Sequence, residues 1–310
     1  MNFLVVGPGA MGCLFASRLK KAGHEVMIAD HKPERADLIN KSGLLIEGAD
    51  GEERVPVPVI SGSATAEVNV ALICVKANQT REAAESISSW LDLRAAVLTL
   101  QNGLGNFELL EEVFGKGRVL GGVTSEGATL LGPGHARHAG RGETIIGPAG
   151  PADGPVAKIV SAFEEAGFHT HSSDEVEDLI WGKLLMNVGI NALTAITRLK
   201  NGLLPAIEGA RAVMRMAVGE AASVAHAKGI DLPYPNPFER VLEVCRGTAE
   251  NKASMLQDIL GERITEIQFI NGAVVREGKK LGIPTPVNLT LTSLVSAIQE
   301  TYDQRITDGH

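Results

Sequence analysis

The chain has 310 residues, 44% of them hydrophobic, 21% charged and 4% aromatic, with a net charge of −8. That length accommodates roughly two ordinary domains, large enough to bury a core without disulfide or metal staples, and the composition excludes a disordered chain. An acidic balance also argues against nucleic acid as a partner, which requires a basic face.

The chain opens on Asn2–Val6, a strand pattern without the basic start or cleavage site of a signal peptide. Strands are then predicted at Glu25–Ala29, Val68–Val75, Ala95–Leu100, Arg118–Val123 and Thr144–Ile146. Helical patterns fall between them at Ala10–Ala22, Pro33–Lys41, Arg81–Leu91 and Phe107–Val113. The central strands read as continuous apolar runs, as expected of a parallel sheet buried on both faces. Gly132-Pro133-Gly134 and Gly147-Pro148-Ala149-Gly150-Pro151 mark turns in a hairpin-like tail to this half. After about residue 173 the β-rich runs stop. Helical stripes follow from Ile207 to Ala225, ending at Gly229, and from Val287 to Tyr302. Between them Ser254-Met255-Leu256-Gln257 fits a capping box, opening one helix predicted to run to Leu281. Two domains are therefore expected, 1–172 and 173–310. No apolar run approaches the roughly 18 residues of a membrane span, so no membrane partner is expected.

Cys13, Cys74 and Cys245 are scattered and odd in number, which suits a reducing cytoplasm. His135/His138 and His169/His171 lack a cysteine or paired carboxylate at ligand spacing, so no metal is expected.

Gly7-Pro8-Gly9-Ala10-Met11-Gly12 follows a strand and opens a helix. In a dinucleotide-binding turn the first glycine allows the tight bend, the second admits a pyrophosphate and the third lets helix and strand pack closely. The helix N-terminus adds free N–H groups and a positive dipole end. The first domain thus reads as an α/β Rossmann-type parallel sheet, followed by an all-helical C-terminal domain. Asp30 ends the second strand, where an acid bonds the ribose 2′-hydroxyl and points to NAD. His31, Lys32 and Arg35 follow and offer a 2′-phosphate site for NADP if Asp30 turns away. Both readings stay open on the residues alone.

Lys183, Asn187 and Asn191 are spaced by four along one side of an otherwise apolar helix. Burying an ammonium and two amides is costly unless something pairs with them. A cleft holding an anionic, oxygen-rich ligand does so; so does a snorkelling lysine with amides bonded to other helices. Glu266 is placed on the predicted long helix among Ile259, Ile270 and Ala273, with Arg263 as an alternative ion-pair partner. Gln101-Asn102-Gly103-Leu104-Gly105 and Lys76 lie at the carboxyl edge of the predicted sheet, where ligands of open α/β sheets bind.

Taken together, the glycine turn, Val75-Lys76, Gln101–Gly105, Trp181–Ala195, Ser254–Asp258, Thr265-Glu266-Ile267 and Ile270-Asn271-Gly272 resemble the ketopantoate reductase (2-dehydropantoate 2-reductase) family over essentially the whole chain. The resemblance implies NADPH-dependent reduction of ketopantoate to pantoate, toward pantothenate and coenzyme A, with the active site between the two domains. It implies Lys183 as proton donor and Glu266 as its acidic partner. It implies Asn187, Asn191, Asn201 and Ser254 as substrate ligands, and Lys76 and Asn102 as the cofactor-side pair. Family members that use NADP commonly carry an arginine where this chain has Asp30-His31, which keeps NAD open. The expected partner is a small α-keto acid, with a homodimer as a further possibility. Two other functions fit the residues: reduction of a different branched α-keto acid, and a dinucleotide-sensing module without catalysis.

Overall fold

The computed structural model describes residues 1–49, 51–64, 67–148 and 155–304. Contacts divide the chain into two compact units, the first formed by residues 1–101 and 106–177, the second by 102–105 and 178–310. The sequence reading placed the boundary at 172/173; the contacts place it at Glu177/Asp178 and assign Asn102–Gly105 to the second unit.

The first unit begins with β1 (Asn2–Val6), α1 (Ala10–Lys21), β2 (Glu25–Ala29) and α2 (Pro33–Ser42). β3 (Leu44–Gly48), β4 (Gly51–Val55), β5 (Val59–Ile60), β6 (Val70–Ile73) and α3 (Thr80–Ser88) follow. Next come β7 (Ala96–Thr99), α4 (Asn106–Phe114), β8 (Val119–Thr124), β9 (Gly127–Gly132) and β10 (His135–Gly140). β11 (Thr144–Pro148), α5 (Val156–Glu165) and β12 (Thr170–Ser172) complete it. Eight strands form one sheet in the order β12-β11-β8-β7-β6-β1-β2-β5, parallel except where β11 runs antiparallel to β8. The apolar runs are explained by two cores. Phe3, Val5, Val70 and Leu72 point into one, and Leu4, Val6, Ala71 and Ile73 into the other. With period-two alternation, both faces of β1 and β6 are dry.

A second sheet, ordered β4-β3-β10-β9, was not foreseen beyond its hairpin turn at Gly132–Gly134. Its β9 is half-exposed or exposed along its whole length, so it carries no apolar alternation to read. α1 packs against strands of both sheets, and Ile46, Val55 and Ala136 join Leu14, Phe15 and Leu19 in one core. Of the second predicted turn, Ala149, Gly150 and Pro151 lie outside the described residues.

The second unit is helical: α6 (Val176–Thr197, whose first two residues belong to the first unit), α7 (Glu208–Lys228), α8 (Pro237–Gly247), α9 (Ser254–Leu260), α10 (Asn271–Leu281) and α11 (Pro286–Glu300). Trp181, Leu184, Leu185 and Val188 of α6 share a core with Met214, Val218, Ala221 and Ala225 of α7 and with Leu291 and Val295 of α11. Leu294, counted in the last predicted stripe, is instead 47% exposed. Among the described residues α6 is the one helix long and apolar enough to cross a membrane, although Lys183 and the asparagines interrupt its apolar run; 72% of that stretch is buried inside the protein.

The single helix predicted from Ser254 to Leu281 is broken. α9 ends at Gly261, Glu262 takes a left-handed φ of 51°, and a short 3-10 turn over Ile267–Phe269 precedes α10. The break is held by side chains. Arg263 returns its N–H to the Asp258 carbonyl at 2.9 Å and its Nε to the Asp258 carboxylate at 3.2 Å. Thr265 donates its N–H and hydroxyl to Gln299. The capping box does not form either. Ala253 precedes α9 with no side-chain cap, and Gln257 Nε2 donates to the Lys252 carbonyl at 2.9 Å.

Candidate active site

In the first unit the glycine turn has the geometry of a phosphate cradle. Gly7 has φ +102°, and a Cβ there would come within 2.7 Å of Val75 Cγ1. A Cβ on Gly12 would overlap the Gly7 carbonyl oxygen and stand 3.2 Å from Cys74 Cβ. Gly9 caps α1 without a side chain, leaving first-turn N–H groups for a ligand. Pro8 accepts from the Cys13 thiol at 3.4 Å, while Ala10 and Met11 are half-buried on the first turn of α1. These features fit a dinucleotide pyrophosphate. Because backbone cannot yield as a side chain can, Gly12→Ala should cost about 1–3 kcal/mol of stability. It should also weaken NADPH and NADH together, about tenfold or more (about 1.4 kcal/mol per tenfold). Urea unfolding and fluorescence titration check both effects; unchanged binding of either dinucleotide would refute the cradle.

Asp30 is not a free acid but is paired with its sequence neighbours. Its carboxylate is fully buried and accepts Nε and Nη2 of Arg35, each at 2.5 Å, and the Lys32 N–H at 3.1 Å. His31 is exposed, with Nδ1 3.7 Å from Asp30 Oδ1. Lys76 stands at the carboxyl end of β6, just ahead of a 3-10 turn over Ala77–Gln79. Gln101, for which the sequence offers no role beyond its place at the sheet edge, ties this edge together. Its Nε2 donates to the Val75 carbonyl at 2.7 Å and to Thr80 Oγ1 at 2.9 Å, and its Oε1 accepts from Thr99.

In the second unit Lys183 is half-buried on α6, with Asn187 and Asn191 one and two turns further on. Burial pushes the Lys183 ammonium down to a pKa of about 8, while the nearby Glu266 carboxylate pulls it back up. The break between α9 and α10 therefore changes how Glu266 is presented. It precedes the Ile267–Phe269 turn instead of lying on a helix face, and Arg263 pairs with Asp258. Asn187 Nδ2 is buried without a hydrogen-bond partner, as is Asn201 Oδ1. Asn201 is buried at the start of the 3-10 turn Asn201–Ala206 and donates Nδ2 to Thr248 at 2.9 Å. Ser254 is exposed at the start of α9. Beside Asn102, the Leu104 N–H donates to the Phe269 carbonyl at 2.9 Å, fixing that loop next to the turn after Glu266.

The sequence reading assigned no role to Asn271 and Asn288. Asn271 donates Nδ2 to Asn288 Oδ1 at 2.9 Å and to the Val188 carbonyl of α6 at 3.4 Å. Asn288 in turn donates to the Ala217 carbonyl and to Glu220, whose carboxylate also takes the N–H groups of Val287 and Asn288. This network holds α6 against α7, α10 and α11. An asparagine inside the last apolar stripe was the available signal.

The paired histidines have carboxylate partners: His135 with Glu47, His138 with Glu126, and both His169 and His171 with Glu143. Among the described residues no group of three or more His, Cys, Asp or Glu is arranged to hold a metal. Cys13 and Cys245 are buried and Cys74 is half-buried, all as free thiols.

Residues 3–151 match the model of ketopantoate reductase PanE/ApbA, and residues 175–299 match the model of its C-terminal part. The chain belongs to this family. A 2-dehydropantoate 2-reductase of Halobacterium salinarum is 37% identical over 302 residues, covering 96% of this chain and 99% of that one. Among solved structures, the PanE/ApbA family ketopantoate reductase of Ralstonia eutropha JMP134 matches with a TM-score of 0.89 and 36% identity, covering 97% of this chain and 99% of that one. A D-mandelate dehydrogenase in ternary complex with NADH and anilino(oxo)acetate matches with a TM-score of 0.90 and 29% identity, over 98% of this chain and all of that one. Ketopantoate reductase family membership and the Rossmann-type fold together place the chain among nicotinamide-dependent oxidoreductases.

Proposed function

We propose that the protein is a cytoplasmic NAD(P)H-dependent 2-dehydropantoate 2-reductase, reducing ketopantoate to pantoate on the route to pantothenate and coenzyme A. The observation that carries this reading is the half-buried Lys183, its pKa drawn down to about 8 beside Glu266, on the same helix as the unpartnered amide of Asn187. A nicotinamide dinucleotide, when held by the glycine turn, would supply the hydride that the keto carbon needs. The carbonyl oxygen then needs positive charge and a proton. Lys183 Nζ supplies both: as an ammonium it donates a hydrogen bond to the oxygen, stabilises the developing alkoxide and passes its proton to it. Glu266 keeps enough of the ammonium form present at neutral pH. Asn187, Asn191, Asn201 and Ser254 hold the substrate's carboxylate and hydroxyl groups without adding charge. Lys76 and Asn102 are the residues that would hold the cofactor.

Cofactor oxidation in the presence of ketopantoate tests the assignment, with Asn187→Leu as the informative variant. Removing an amide whose Nδ2 is buried without a hydrogen-bond partner among the described residues should leave the fold intact. A hydrogen bond to a charged ligand is worth about 1.5–3 kcal/mol, so kcat/KM should fall roughly 10- to 150-fold. Unchanged kcat/KM would remove Asn187 from the site, and no turnover by wild type with either cofactor would remove ketopantoate as substrate. A second reading, reduction of another branched α-keto acid, draws support from the likeness to D-mandelate dehydrogenase, and a substrate panel separates the two. Dinucleotide binding with no keto acid turned over would instead mark a sensing module.

A further inference from the structure

Gly7 donates its N–H to the Ala29 carbonyl at 2.9 Å, so Asp30 stands one peptide beyond the group that holds the glycine turn. An acid at this place ordinarily accepts the ribose 2′-hydroxyl and repels a 2′-phosphate. That repulsion requires an uncompensated charge. Here Arg35 grips both carboxylate oxygens at 2.5 Å, and the Asp30 side chain is wholly covered while that of Arg35 stays 27% exposed. Hydrogen bonding to Asp30 holds the guanidinium above even its usual high pKa, so its charge is fixed. Two further groups that can carry positive charge, His31 and Lys32, are exposed on the same turn, with Glu34 next to them as the acid.

We propose that Arg35 sets the cofactor preference of this chain. By masking Asp30, it lets the adenosine subsite accept a ribose bearing either a 2′-hydroxyl or a 2′-phosphate. The inference rests on the dinucleotide reading of the glycine turn and is independent of the keto acid.

The test is the Kd of the full chain for NADPH and for NADH, by fluorescence titration without substrate. For wild type the two values should lie within about tenfold of each other, a difference of about 1.4 kcal/mol or less. Arg35→Met bares the acid and should shift the ratio toward NADH by about tenfold or more. Asp30→Asn leaves the guanidinium without its counter-charge and should shift the ratio toward NADPH by a similar factor. Opposite shifts from the two members of one ion pair are not produced by structural damage, which weakens both cofactors alike. Thermal unfolding is followed in parallel; should Arg35→Met not fold, Asp30→Asn decides alone. A wild-type ratio beyond about a hundredfold, or an unchanged ratio in Asp30→Asn, overturns the proposal while leaving the glycine-turn reading in place. Failure of wild type to bind either dinucleotide overturns both.

Discussion

Replacing Lys183 by methionine is expected to cut kcat about a thousandfold, within the 10²–10⁴ range of general acid catalysis. The same variant should be more stable than wild type. Folding lowers the Lys183 pKa from 10.5 to about 8, chiefly through desolvation. The folded state therefore binds fewer protons than the unfolded one between those values, and stability rises with pH across that window. Below about 8 the full cost of burying the charge is present, and methionine removes it. A gain of about 1–3 kcal/mol at neutral pH is expected, discounted for partial exposure. The pH profile gives an independent check. Because the ammonium is the active form, wild-type kcat/KM, which follows the unliganded enzyme, should fall as pH rises through about 8, and the variant should lack that limb. In Glu266→Gln the limb should move to lower pH, since the carboxylate raises the lysine's pKa. Full activity in Lys183→Met, measured by cofactor oxidation, would end its role as proton donor.

His138→Ala should give the largest stability loss, about 3–5 kcal/mol. His138 Nε2 and Glu126 Oε2 are 2.5 Å apart, with side chains only 6% and 3% exposed. Glu126 Oε1 also accepts the Gly142 N–H, so the pair closes the base of the β9–β10 hairpin. Removing the imidazole strands a buried carboxylate. The double variant Glu126→Leu/His138→Leu should lose less than His138→Ala, because no buried polar group is then left without its partner. By contrast Arg94→Ala, breaking the exposed pair with Asp92, should leave stability nearly unchanged, because solvent screens the pair. Urea unfolding distinguishes these cases. A loss in His138→Ala no greater than in Arg94→Ala would show that the pair is not structurally important.

How far the sequence revealed this molecule depended on whether the signal was local. β1, β6 and β7 are dry on both faces and read directly as apolar runs. β9 and β10 are held by pairing with each other and by β10 pairing with β3, and their half-exposed residues left no periodic pattern. α6 was legible because its polar residues break an apolar background at a fixed spacing. The α9–α10 break was not legible, because bonds from Gln299 and Asp258 hold it against a helical spacing that looked continuous. The partner of Asp30 was in view five residues away, yet a sequence does not say whether a carboxylate faces its own helix or a ligand.

The composition of α6 has a consequence beyond chemistry. By length and composition alone this segment passes the test for a membrane-spanning helix. A lysine near the middle of such a segment costs about 2.5–3.5 kcal/mol on insertion into a bilayer. Lys183 lies one turn from the midpoint of Val176–Thr197, with Asn187 beside that midpoint. A side chain proposed to greet the substrate thus also makes α6 a poorer membrane span than its apolar residues alone would.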